Sequence, residues 1–151
     1  MHAEIKERTD KAVKILIIDG QGGGIGKSII EQMRKETHGF DGEIVAAGTN
    51  SAASASMLRA GADIAATGEN AVIYNSKKAD IIAGAVGICF ANSMRGEISP
   101  AMAAAVCESD AVKILIPVPM YKCNINIMGV AEKPMAQYIS EAVDRIKEFC
   151  V

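Results

Sequence analysis

Five short apolar runs recur along the chain: VKILIID at 13–19, EIVAAG at 43–48, ADIAAT at 62–67, DIIAGAVGICF at 80–90 and VKILIPV at 112–118. Each of the first four is followed, before the next run, by a stretch with helical rather than alternating pattern. Runs that are apolar at successive positions suit strands buried on both faces. Strands joined by helices at this spacing are best satisfied by right-handed crossovers and a mostly parallel sheet. The chain therefore predicts one α/β, three-layer, Rossmann-like domain of five to six strands, with helices on both faces.

The helices have their own signals. One is expected from about Ile25, turning Ile29, Ile30 and Met33 inward and stopping near Gly39. NSAASASMLRAG offers an Asn or Ser cap, small residues and a closing glycine. ENAVIYNSKKA is a further candidate, and Ser99-Pro100 pairs a cap with proline at the first helical position. The last helix should begin at Pro134 and align Ile139, Val143, Ile146 and Phe149. NINIMGV at 124–130 reads as a sixth, edge strand. Residues 1–12 form an N-terminal extension and 13–151 the domain.

That architecture locates function before any motif is considered. Ligands of open α/β sheets sit beyond the carboxyl ends of the strands, where strand order reverses. The loops there are 19–27, 49–51, 67–70, 91–97 and 117–123. The first carries Asp19, Gly20, Gln21, Gly22, Gly23, Gly24, Ile25, Gly26 and Lys27, five of them glycines.

Two phosphate-binding patterns compete for that loop. Gly26-Lys27-Ser28 matches the end of a P-loop, in which lysine meets phosphate and the hydroxyl meets magnesium. However, Gln21 stands where the first glycine belongs, and no strand ends in a metal-directed Asp. Gly20-x-x-x-Gly24-Ile25-Gly26 is similar to the G-x-x-x-G-I-G turn of short-chain dehydrogenases, and it lies between a strand and a helix as that turn must. An acid that reads a ribose is expected about 20 residues later. The second strand ends instead in Gly48-Thr49-Asn50, neutral groups that suit a phosphorylated ribose such as that of NADP, or another nucleotide. Asp19 reads first as a cap for loop N–H groups, with a metal or ribose contact as the alternative.

Three further features are weighed. Tyr74 and Lys78 have the Y-x-x-x-K spacing of the same dehydrogenases, but they lie too near the glycine loop in sequence and read as a chance helical pair. In the loop after the fourth strand, Asn92 and Arg95 are candidate ligand contacts. Arg95 is either a bidentate anion clamp or a solvated arginine paired with Glu97. Cys123 lacks a histidine to activate it and reads as a structural thiol.

Composition narrows the partners. A formal net charge of -2 gives no electrostatic reason to expect nucleic acid or an anionic membrane. No apolar run reaches the roughly 18–20 residues of a bilayer span, and the charged start lacks a signal-peptide core, so a cytoplasmic location is expected. The four cysteines form no C-x-x-C pair, and with two histidines a metal site is not expected.

IDGQGGGIGKSI, GTN, ATGENAVI, ANSMRGEISPAMA and ILIPV together resemble a family of small bacterial proteins, found largely in Firmicutes and described only as domain-of-unknown-function family 3842. The resemblance runs from about residue 13 to the C-terminus. It implies a Rossmann-like domain and carries no established activity.

Three functions follow. The first is a nucleotide or dinucleotide-binding module whose phosphate lies in loop 20–27. The second is an ATP- or GTP-dependent switch using Lys27 and Ser28. The third is a non-enzymatic, oligomeric scaffold whose glycine loop is only a turn. In that third case Gly24→Ala should lower stability. A homo-oligomer formed through an edge strand or the last helix is compatible with all three.

Overall fold

In the computed structural model, residues 11–21, 24–117 and 126–150 are described. β1 (Lys14–Asp19) lies at the centre of a single sheet, which explains its uninterrupted apolar sequence. Ile15 and Ile17 face one side and Leu16 and Ile18 the other, and all four are buried. β2 (Glu43–Gly48), β3 (Ile64–Thr67), β4 (Ile81–Ala85) and β5 (Val112–Ile116) complete five parallel strands in the order β3-β2-β1-β4-β5. The order reverses between β1 and β4.

α1 (Gly24–Glu36), α2 (Ser51–Ala60) and α5 (Met135–Cys150) cover one face. Ile29, Ile30 and Met33 of α1 meet Ile139, Val143, Ile146 and Phe149 of α5 in that layer. α3 (Glu69–Ser76) and α4 (Pro100–Glu108) cover the other face through Val72, Met102 and Val106. Caps fix several boundaries. Asn50 accepts from Ala53 N–H at 2.9 Å, and Ser99 accepts from Met102 N–H at 3.2 Å ahead of Pro100. Gly61, at φ +121°, closes α2 in a conformation that other residues rarely adopt.

Two expectations need correction. The strand expected over 80–90 stops at Ala85, and a 3-10 turn, Val86–Cys89, follows. β1 pairs with β4 only as far as Ile17 with Ala83, so the two strands part there and the apolar run turns inward to bury Ile88. The edge strand expected at 124–130 is not formed over its described part, 126–130, which contains a turn at Met128–Gly129. Gly129 has φ +83° and Met128 is 82% exposed, and among the described residues no strand pairs with this segment. Asn124 and Ile125 lie outside the described residues, as do Lys122 and Cys123. Among the described residues, no helix is long and apolar enough to cross a membrane.

Candidate functional site

The parting of β1 and β4 places the glycine loop, the end of β2 and the loop after β4 at one edge. Asp19, the last residue of β1, is 5% exposed. One carboxylate oxygen accepts from Gly20 N–H at 2.7 Å and the other from Gly26 N–H at 2.6 Å. Asp19 thus clamps the end of the strand to the first turn of α1. Burial pushes its carboxyl above the ordinary aspartate range. The N–H groups of Gly26, Gly20 and Ile25 oppose that rise, and the charge of Glu97 adds to it. Gly26 must be small, because a Cβ there would stand 2.5 Å from Met57 Sδ and 3.1 Å from Asp19 Cβ.

Glu97 closes the same edge from above. Its carboxylate accepts from Asn50 Nδ2 at 2.7 Å, from Thr49 Oγ1 at 2.9 Å and from Gln21 N–H at 3.1 Å. Burial works to raise this carboxyl, but the bonds from Asn50, Thr49 and Gln21 together outweigh it and hold it below the ordinary glutamate range. The donors are themselves fixed. Asn50 Oδ1 caps α2, which leaves its amide N–H groups for Glu97 and for Gln21 O at 2.8 Å. Thr49 N–H is held by Asp19 O at 2.9 Å. Gly20 lets the covering loop sit this close, since a Cβ there would lie 2.7 Å from both Met94 Sδ and Thr49 Oγ1.

The covering loop is pinned at its base and unusual at its tip. Ser93 Oγ donates to Gly87 O, Asn92 N–H donates to Ile98 O at 2.7 Å, and Ile98 is fully buried. Between these anchors Asn92, Met94 and Arg95 have φ of 66°, 56° and 56°, and Gly96 has 87°. Left-handed backbone at a methionine and an arginine is costly, and it persists only where surrounding contacts enforce it.

The family model for a domain of unknown function, DUF3842, matches residues 14–151. The chain belongs to this family. No curated protein and no solved structure matches the chain.

In this DUF3842 domain the residues singled out by sequence separate into two groups. Asp19, Gly20, Gln21, Ile25, Gly26, Thr49 and Asn50 meet at the carboxyl edge through the contacts above. Gly22 and Gly23 lie outside the described residues. Gly20 and Gly26 do not offer free N–H groups to a phosphate, because Asp19 already takes them. Gly24 has open space around the position of a Cβ, so the stability loss expected from Gly24→Ala has no steric basis. Arg95 and Asn92 are exposed, and among the described residues no ion pair joins Arg95 to Glu97, whose oxygens are taken by the glycine loop and the end of β2.

The P-loop pair is turned elsewhere. Lys27 reaches Glu31 one turn along α1, at 3.9 Å, and Ser28 lines a cleft of about 510 Å³ against Met135 and Ile139 of α5. Tyr74 and Lys78 are brought together: Lys78 donates to the phenol oxygen and lies 4.0 Å from the ring centroid, which lowers the phenol's pKa. They stand at the wrong end of the sheet for the dehydrogenase role. Two residues past Lys78, Asp80 N–H bonds Lys14 O at the amino end of β1. The pair borders a second cleft of about 510 Å³ along the α3 face of β2 and β3. Neither cleft opens on the glycine loop. Near the carboxyl edge, Cys89 is no ready nucleophile, since burial and the neighbouring Cys107 push its thiol up to about 12. Among the described residues, no group of three or more His, Cys, Asp or Glu side chains could hold a metal ion.

Glu97 is the residue that sequence reasoning placed only as a partner for Arg95. No spacing rule links a loop after the fourth strand to the end of the second. The left-handed tip that delivers its carboxylate has a sequence trace only in Asn92 and Gly96.

Proposed function

We propose that the carboxyl edge binds a nucleotide-type ligand, with its phosphate-bearing part between the glycine loop and the end of β2. One observation carries the reading. At the reversal of strand order, Gln21 N–H, Thr49 Oγ1 and Asn50 Nδ2 converge outward on a carboxylate, so the edge receives an anion where such folds hold phosphate. The strand, glycine loop and helix supply the close backbone approach that a pyrophosphate requires. Among the described residues of this edge, the Asp19 and Glu97 carboxylates are taken up by donors and burial holds the Cys89 thiol protonated, so binding is proposed without a reaction. The P-loop version has no support in the directions taken by Lys27 and Ser28.

A thermal-shift panel tests the reading with NADP(H), NAD(H), flavin mononucleotide, ADP and ATP added one at a time. A ligand at about a hundred times its Kd stabilises the fold by roughly 2.7 kcal/mol. For a domain of this size that is about 5–10 °C in Tm. A panel in which every nucleotide leaves Tm unchanged would end the proposal.

A further inference from the structure

Glu97 bonds to three groups that can only donate in this arrangement, and these come from two different segments. The Gln21 N–H is backbone, Asn50 Nδ2 is oriented by its capping role, and Thr49 Oγ1 lies against Gly20. None carries a charge. Such a set has no reason to prefer this carboxylate over another oxyanion. Asn50 Nδ2, Thr49 Oγ1 and Gln21 N–H all reach Oε1 of Glu97, at 2.7, 2.9 and 3.2 Å, so they form a receptor for one oxyanion oxygen that a phosphate monoester can supply as a carboxylate does.

The loop that brings Glu97 combines fixed ends with a tip of costly backbone. Ser93 and Ile98 anchor its ends in the core, while Met94 and Arg95 between them hold left-handed backbone. The tip is held over the glycine loop by the Glu97 bonds and by Met94, which lies at Gly20 and packs against the core beneath, while Gly96 N–H to Asn92 O and Glu97 N–H to Met94 O hold its own turn. Arg95, exposed and two residues from Glu97, rides on the same tip.

We infer that Gln21 N–H, Thr49 Oγ1 and Asn50 Nδ2 form the receptor for a terminal phosphate monoester on the ligand's ribose, and that Glu97 is its built-in competitor. The phosphate enters by exchange: the carboxylate leaves, residues 94–97 swing out and the three donors re-form on a phosphate oxygen. The exchange makes apparent affinity depend on the fraction of molecules in which Glu97 is released. This inference rests on the proposed nucleotide site and adds to it the ligand's distinguishing group and its gate.

The test uses NADP and NAD, which differ only in the 2′-phosphate monoester, the pyrophosphate of NAD having no terminal phosphate; each is titrated by calorimetry into the full chain. Glu97→Ala should tighten NADP by about tenfold or more, which corresponds to a competitor closed nine-tenths of the time or more, and leave NAD nearly unchanged. Glu97→Gln, close in shape but uncharged, should tighten NADP in the same direction and guards against a folding defect in the alanine variant. Adding Thr49→Val to Glu97→Ala should cancel much of the gain. If both nucleotides bind and the Glu97 variants weaken them equally, Glu97 is a ligand contact and the exchange is overturned. If both bind and neither variant changes anything, the exchange is also overturned while the nucleotide site stands. If neither nucleotide binds any variant, site and exchange fall together.

Discussion

Gly48→Ala is expected to be among the more damaging single-methyl substitutions in this domain, and the reason is local geometry. A Cβ at Gly48 would lie 2.3 Å from Ser54 Oγ, 2.6 Å from Ser54 N and 2.8 Å from Asn50 O. The hydroxyl has little freedom to turn away, since it bonds Ala66 O at 3.1 Å and Thr67 Oγ1 at 2.6 Å. The other two atoms are backbone of the first turn of α2, joined by their own bond of 3.2 Å, and they move only if the helix start moves. Forcing a methyl group into a packed site costs about 1–3 kcal/mol. Straining the buried Ser54 bonds adds about 1 kcal/mol, and Ala's better strand propensity returns roughly 0.5–1 kcal/mol. The net loss of about 1–3.5 kcal/mol corresponds to a fall in Tm of about 2–14 °C. Urea unfolding followed by far-UV circular dichroism would show a lower midpoint at unchanged slope. Gly24→Ala, with open space at its Cβ, serves as the control and should change little. A Gly48→Ala protein within about 0.5 kcal/mol of the parent would refute the packing described for β2 and α2.

Other outcomes follow from the same contacts. Because burial raises the Asp19 carboxyl above 3.8 in the folded state, its contribution to stability is full below that value and is lost as pH climbs through the raised one. Asp19→Asn should remove that decline, so the parent's stability relative to the variant should fall as pH rises from 3.8 through the raised value in matched urea titrations; a constant difference would contradict the burial argument. Glu97, held low, contributes in the opposite sense, and its share is lost as pH falls through its lowered value. Ser99→Ala removes the α4 cap and should cost about 1 kcal/mol by the same unfolding assay. Tyr74→Phe should leave any nucleotide affinity unchanged, since Tyr74 stands with Lys78 toward the amino end of the sheet; a large loss would revive the dehydrogenase reading.

The fold was legible because each strand is an apolar run, the three central ones β2, β1 and β4 being buried on both faces, and because several helices carry their own start or stop. Asn50, Gly61, Ser99 and Pro100 mark boundaries with local chemistry that a sequence displays directly. The errors fall where apolar residues serve other ends. Ile88 fills the core beneath a turn instead of extending β4, and Ile127 and Met128 are exposed in an unpaired segment. At the candidate site, Asp19, Thr49 and Asn50 could be found because each sits at the end of a strand that the pattern reveals. Glu97 could not, because its position depends on left-handed backbone at Met94 and Arg95, residues with no propensity for it. Asp19 was legible as a cap for loop N–H groups, and its bonds fall on Gly20 and Gly26; which N–H groups it would take was not, because a glycine loop looks the same whether its N–H groups await phosphate or already hold a carboxylate.

The most direct test is a titration of the isotopically labelled protein with the best-binding nucleotide, followed by amide ¹H–¹⁵N correlation spectra. The account expects the largest shifts at Gly20, Gln21, Thr49, Asn50 and Glu97, with Tyr74 and Lys78 unmoved. Shifts concentrated along α3 and the amino ends of the strands, with the carboxyl edge silent, would contradict it.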